Sequence, residues 1–273
     1  MEEIYNVRFF NKFCRLCDDS YNRGWNEANG GNLSYRMSEF DVDEVRKYFS
    51  YERDWQDIGV TVENLAGEYF MVTGSGKYFK NTKEEPDDNV CIIEIDSTGT
   101  KYRIVWGLVN GGRPTSELPT HLMNHSVKKD ITNGKNRVIF HNHPIHTISL
   151  SFVLDLDDRT FTRELWDMMP ECPVVFPRGV GVVGWHTPGS IEIAEETAEK
   201  MKRFDVVVWA GHGVFCAGES FDRVFGILDT VEKAATILCN VKAMGGKKWR
   251  VTKEQVMTLY ENYGIDVDGT FFD

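Results

Sequence analysis

The stretch that most constrains this chain is residues 138 to 143, Val-Ile-Phe-His-Asn-His, a β-branched and apolar run ending in two histidines separated by one residue. Side chains of an extended strand alternate between faces, so His141 and His143 project from the same side with their Cα atoms about 6.5–7 Å apart. At that spacing two imidazoles can converge on one zinc ion at Zn–N distances of about 2.0–2.1 Å. The pair alone does not decide the matter, because a strand His-x-His also serves as two half-buried, hydrogen-bonded residues. The candidate third ligand is His212, which closes a second apolar run beginning at Asp205 and stands between two glycines that let backbone or ligand come close. Three histidines from two strand ends would leave coordination positions open, the arrangement of a catalytic rather than a structural zinc.

A chain of 273 residues, 41% of them hydrophobic, can bury a sizeable core, and no repeat or proline-rich linker divides it. We therefore expect one domain over 1–273 of the α/β class: a predominantly antiparallel or mixed central sheet flanked by helices. A net charge of −11 and a pI near 5.2 repel polyanions, which argues against nucleic acid or an anionic membrane as partner. A small anionic substrate then needs a local pocket of N–H groups, a lysine or a metal to override the field. No run approaches the roughly 18–20 apolar residues of a membrane span, and the acidic start is unlike a signal peptide, so a cytoplasmic location is expected. The six scattered cysteines suit reduced thiols. Cys14-x-x-Cys17 lies on a helical apolar stripe and has no second pair to complete a metal site, so it is expected in the core.

Apolar residues from Phe9 to Tyr21 recur every three or four positions, predicting a helix from Asn6 to about Trp25. Strands are predicted at 33–36 and 68–73, and a hairpin at 90–96 and 101–107. The charged stretch 38–68 reads as a surface excursion. Around Thr115, Ser116, Glu117 and Pro119 the signals are those of a helix start, with Thr115 or Ser116 as cap; locally this is an ordinary surface helix running to about Lys129. Further helices are predicted near 158–168, 192–203, 219–244 and 252–263, the third ending at Gly245-Gly246.

Three loops join small residues to hydroxyl or amide side chains where a regular element begins or ends: Asn29-Gly-Gly-Asn32, Thr73-Gly-Ser-Gly76 and Thr115-Ser116. Such loops and helix starts bind phosphate oxygens, although each taken singly also reads as a glycine turn or a cap. Together with His141-Asn-His143, Pro114-Thr-Ser-Glu-Leu-Pro-Thr-His121 and Gly211-His212-Gly-Val-Phe215, and with Gly24 to Ser34 and Val72 to Lys77, they resemble the ordered motifs of the class II aldolase/adducin family. The resemblance runs from about residue 20 to 250. Phe161-Thr-Arg-Glu-Leu-Trp166 and Glu171 to Pro177 also resemble the branch that cleaves L-rhamnulose 1-phosphate to dihydroxyacetone phosphate and L-lactaldehyde.

The resemblance implies one zinc ion per subunit on His141, His143 and His212, and a catalytic acid/base at Glu117. It implies phosphate binding by Asn29, Gly31, Asn32, Ser75, Thr115 and Ser116. Glu171 matches an acid that reaches the site of a neighbouring subunit, and a homotetramer with interface active sites follows. His146 is expected as a supporting or surface residue. The substrate would be a small phosphorylated ketose, and zinc would stabilise the enediolate left when its carbon chain breaks. A lysine Schiff base is the competing chemistry, but Lys77 sits in a phosphate-loop context and no other lysine is expected in an apolar pocket. Two alternatives stay open: aldol or epimerase chemistry on fuculose or ribulose phosphates, and a non-catalytic adducin-like role, which would be expected to lack the ligands and to carry long charged tails.

Overall fold

The computed structural model describes residues 4–265 and 269–272. Among these residues nine strands form one sheet: β1 (Asn32–Arg36), β2 (Gln56–Asp57), β3 (Tyr69–Thr73), β4 (Val90–Ile95), β5 (Lys101–Gly107), β6 (Val138–Asn142), β7 (Gly181–Val183), β8 (Val206–Trp209) and β9 (Gly213–Gly218). Among the described residues ten α-helices accompany it: α1 (Arg8–Asn22), α2 (Glu39–Val45), α3 (Pro86–Asn89), α4 (Leu118–Ile131), α5 (Ile145–Leu150), α6 (Asp158–Trp166), α7 (Glu171–Val175), α8 (Ile191–Met201), α9 (Phe221–Ala243) and α10 (Lys253–Tyr263). The strand order is β2-β5-β4-β3-β1-β6-β9-β8-β7. Only the β7–β8 pairing is parallel among the described residues, so the sheet is mixed and mainly antiparallel, as expected.

Alternation along β1 sorts the two faces. Leu33 and Tyr35 point to the side covered by α1 and α9, where the Tyr35 ring lies against Phe9 and Phe221. Ser34 points the other way, to α4, where a second apolar cluster gathers Phe70, Val72, Cys91 and Ile93 of the sheet with Leu118 and Leu122 of the helix. Cys14 and Cys17 are buried in the first core, and all six cysteines are free thiols.

Several elements depart from expectation. Residues 38–68 are tied down: a Ser38–Asp41 capping box starts α2, Val42 and Val45 enter one core, and Ile58, Val62 and Leu65 enter the other. Charged neighbours hid these anchors because they are spaced without a clean period. Helix α4 is capped by neither Thr115 nor Ser116; Glu117 occupies the N-cap with no side-chain cap, its carboxylate being used elsewhere. Nor is α4 a surface helix, since it buries Thr120, His121, Asn124, His125 and Lys128 beside its leucines. Its polar composition concealed this. Strand β9 and the short helices α5 and α7 had no distinct periodic signal.

Lys128 contradicts the expectation that no lysine besides Lys77 lies in a pocket that depresses its pKa. Its ammonium is almost fully enclosed, donates to the Asp205 carboxylate at 2.7 Å and to the Phe204 carbonyl at 2.8 Å, and burial pulls its pKa down against the lift from Asp205. Removing one member of such a pair strands the other charge, whereas replacing the cation by an apolar isostere is often neutral. Asp205→Ala should cost about 2 kcal/mol, less than a fully buried pair because the carboxylate is 34% exposed. Lys128→Met should stay within about 1 kcal/mol of the parent. Urea denaturation midpoints of the two variants test this.

Candidate active site

Antiparallel neighbours bring strand starts and strand ends to the same edge of a sheet. Here the start of β1, the ends of β3 and β6, and the β8–β9 turn meet, and Asn32 lies directly opposite His141 in register. One cavity at that edge is lined by Asn29, Gly30, Gly31 and Asn32, by Gly74, Ser75 and Gly76, by Thr115, Ser116 and Glu117, and by His141, His143 and His212. Every residue expected in the site therefore lines it except Glu171, which is exposed on α7 and absent from the lining. Asn29, Ser75 and Ser116 are exposed at the mouth, whereas Glu117 and His141 are buried.

The three histidines form the one cluster among the described residues suited to a metal: one ligand atom from each lies within 4.8 Å of the others. Two of the three have their outward nitrogen already committed. His141 Nδ1–H donates to the Val214 carbonyl at 3.1 Å, and His143 Nδ1–H donates to Glu27 at 2.7 Å. That fixes both tautomers and leaves Nε2 as the free lone pair. His141 Nε2, His143 Nε2 and His212 Nδ1 are buried without a hydrogen-bond partner. Burial, then the neighbouring imidazoles His143 and His212, hold His141 far below the usual histidine range, and burial followed by His143 brings His212 down to about 4. Three imidazoles with unpaired buried nitrogens are the donor set a zinc-like dication requires.

Two glycines are required by close approach. A Cβ on Gly213 would come within 2.9 Å of His141 Cε1 and 3.0 Å of His143 Cδ2, so the β9 start can only be glycine while both rings keep their places. Gly31 has φ +76°, and a Cβ there would meet Asn26 and the His141 carbonyl, 2.7 Å away. Asn26 holds this loop: it donates to the Gly30 carbonyl at 3.0 Å and accepts from Asn142 at 3.0 Å, while His143 N–H donates to the Trp25 carbonyl at 2.8 Å.

Glu117 Oε2 lies 3.6 Å from His141 Nε2 and accepts from Asn32 Nδ2 at 2.8 Å. Burial raises its pKa above the ordinary carboxylate value, with Asn32 and His143 pulling it back. A carboxyl so poised can carry a proton next to a metal. Behind Asn32 stand His121, Ser34 and His125, hydrogen-bonded in a row. Sequence reasoning missed these and Glu27, although His121 and His125 share the i, i+4 spacing that puts two side chains on one helix face. His146 is not a ligand; its Nδ1 meets Glu232 at 2.8 Å. Lys77 is paired with Asp88 at 2.7 Å.

Residues 11–239 match the family described as class II aldolase and adducin N-terminal domain. The chain belongs to that family. This family member is 44% identical to the rhamnulose-1-phosphate aldolase of Mannheimia succiniciproducens over 97% of each chain. It is 40% identical to that of Listeria monocytogenes over 100% of this chain and 99% of the relative. Among solved structures, a sugar-phosphate aldolase from Thermotoga maritima superposes with a TM-score of 0.75 at 28% identity, covering 88% of this class II chain and 97% of that one.

The buried imidazoles make the fold acid-sensitive. Burial brings His121 from 6.5 to about 3 and sends His125 well below its ordinary value. The unfolded chain takes up these protons below pH 6.5 and the folded one does not, so stability present above that pH is lost as the pH falls toward 3. Each histidine should cost about 2 kcal/mol by pH 5. Chemical denaturation at pH 7 and pH 5 should show a smaller loss in His121→Gln than in the parent, by about that amount for one histidine.

Proposed function

We propose that this protein is a zinc-dependent aldolase that cleaves L-rhamnulose 1-phosphate to dihydroxyacetone phosphate and L-lactaldehyde, in the cytoplasm, as a homotetramer with active sites at subunit interfaces. The observation that carries the reading is the set of three partnerless imidazole nitrogens beside the buried carboxyl group of Glu117, whose pKa burial raises. Whole-length similarity to relatives named rhamnulose-1-phosphate aldolase supports the substrate.

Held by His141, His143 and His212, a zinc ion supplies a dication that favours negative charge on the ketose oxygens as the C3–C4 bond breaks. The rest is done by the chain. Asn29, Ser75 and Ser116 at the mouth, backed by Gly31, Asn32 and Thr115 deeper in the cavity, hold the phosphate through side-chain and backbone donors, which fixes C2 and C3 next to the histidines. Glu117 gives its proton to C3 after cleavage and takes it back in the aldol direction. The C4 hydroxyl needs its own base, and Glu171 of an adjacent subunit is suited to that task because it is exposed at the start of α7, outside its own chain's cavity. Lysine chemistry finds no support: Lys77 and Lys128 are both ion-paired and neither lines the cavity.

Chelation should abolish cleavage of L-rhamnulose 1-phosphate and zinc should restore it, with L-fuculose 1-phosphate and L-ribulose 5-phosphate turned over more slowly. Activity that survives chelation, or a preference for another ketose, overturns the reading. Glu117→Gln and Glu171→Ala should each lose about 100-fold or more in kcat as homo-oligomers. Co-expressed, they should regain activity, because roughly a quarter of interface sites then combine both intact acids. Absence of recovery would place Glu171 outside the neighbour's site.

A further inference from the structure

A row of four buried side chains ends on Glu117. His125 Nε2 lies 2.8 Å from Ser34 Oγ, Ser34 Oγ lies 2.6 Å from His121 Nδ1, His121 Nε2 meets Asn32 Oδ1, and Asn32 Nδ2 lies 2.8 Å from Glu117 Oε2. Ser34, His121 and His125 are wholly enclosed, and both imidazoles are neutral because burial opposes their charging. A neutral imidazole has one donor and one acceptor, and the buried Ser34 hydroxyl must spend its single O–H on one of the two imidazoles beside it, so the row has two arrangements that satisfy it: every donor pointing toward Glu117, or every donor pointing away.

The far end decides between them. His125 Nδ1 is buried with no partner. With donors pointing toward Glu117 that atom is a bare lone pair; reversed, it is an orphaned N–H, the rarer and costlier of the two. The near end agrees, since an ionised Glu117 can only accept. The direction is thus His125 Nε2–H to Ser34 Oγ, Ser34 O–H to His121 Nδ1, His121 Nε2–H to Asn32 Oδ1, and Asn32 N–H to Glu117 Oε2.

We propose that Ser34, His121 and His125 are positioning residues for the reaction: they lock the Asn32 amide so that its N–H always faces Glu117, committing Oε2 as an acceptor and leaving Oε1 to carry the shuttled proton. Without the row, Asn32 is free to turn its carbonyl oxygen onto the carboxylate, and two acceptors then face each other in a site shielded from water. None of the three lines the cavity or touches a metal-site histidine through a hydrogen bond. The inference rests on the acid/base reading of Glu117.

The test uses the zinc-loaded protein, with kcat and KM for L-rhamnulose 1-phosphate and, separately, hydrogen exchange at the hydroxymethyl carbon of dihydroxyacetone phosphate in D2O. That half-reaction needs Glu117 and no aldehyde. His121→Leu removes the donor to Asn32 and should lower kcat and exchange about 10- to 100-fold, with KM changed less than about threefold and zinc content intact. His121→Gln, whose amide nitrogen reaches where the imidazole Nε2 was, should recover most of the loss. Ser34→Ala, a smaller change, should lower kcat several-fold at unchanged KM, and it decides the matter should the leucine variant fail to fold. A folded, metal-loaded His121→Leu with kcat within about threefold of the parent overturns the proposal, as does a glutamine variant no better than leucine. Glu117→Gln is measured alongside: exchange persisting there removes the acid/base reading itself, whereas exchange lost there but intact in His121→Leu removes only the positioning role.

Discussion

The pairing of β1 with β6 and of β6 with β9 is the constraint on which the rest of the molecule depends. Because both pairings are antiparallel, the end of one strand and the beginnings of its two neighbours arrive at one edge, and register places Asn32 on one side of His141 and Phe215 on the other. A slip of one residue in β6 would turn His141 to the opposite face and bring Asn142 to this one. Backbone hydrogen bonds between strands that are distant in the chain thus set the distance between groups that must act together, and loops add only the glycine turns that let imidazoles and backbone touch.

A second consequence of the same edge is electrostatic. The face under α4 holds Ser34, His121, His125 and the buried side of Asn32, a polar layer inside a molecule whose other face is filled by aromatic and aliphatic side chains. Burial alone would make this layer costly. It is tolerable because its members satisfy one another in sequence, leaving His125 Nδ1 at the far end as the one unpaired atom of the row, and because the imidazoles stay neutral rather than charged. The layer ends at the carboxyl group that borders the cluster of His141, His143 and His212, so fold stability and the state of that carboxyl share one set of bonds.

The mixed sheet, the long helices α1, α8 and α9 and the β4–β5 hairpin were legible because each is a periodic segment with clear end signals. His141, His143, His212 and the three small-residue loops stood out for a different reason, since metal and phosphate chemistry calls for particular residue types beside small ones, whereas Glu117 read locally as an ordinary helix start and entered only with the family resemblance; the structure brings all of them to one cavity. What could not be read was anything decided by contact between distant segments. Asn32 was assigned to a phosphate loop by its neighbours, yet its amide also bonds Glu117, 85 positions away. Helix α4 looked like a surface helix since histidine, asparagine and lysine are usually exposed, and only the opposing Ser34 and Asp205 explain their burial. Residues 38–68 anchor themselves with five apolar side chains whose spacing follows the shape of two cores rather than a helix or strand repeat.

The outermost strands of the sheet are its shortest, two residues for β2 and three for β7. A row of unpaired amides that brief offers little template for another chain to extend. Copies of this molecule are therefore steered away from joining their sheets into a continuous ribbon, which leaves helices and connecting segments as the surfaces they would present to one another. Any such contact brings side chains, not backbone ladders, up to a neighbour, and side chains are what an active site can borrow.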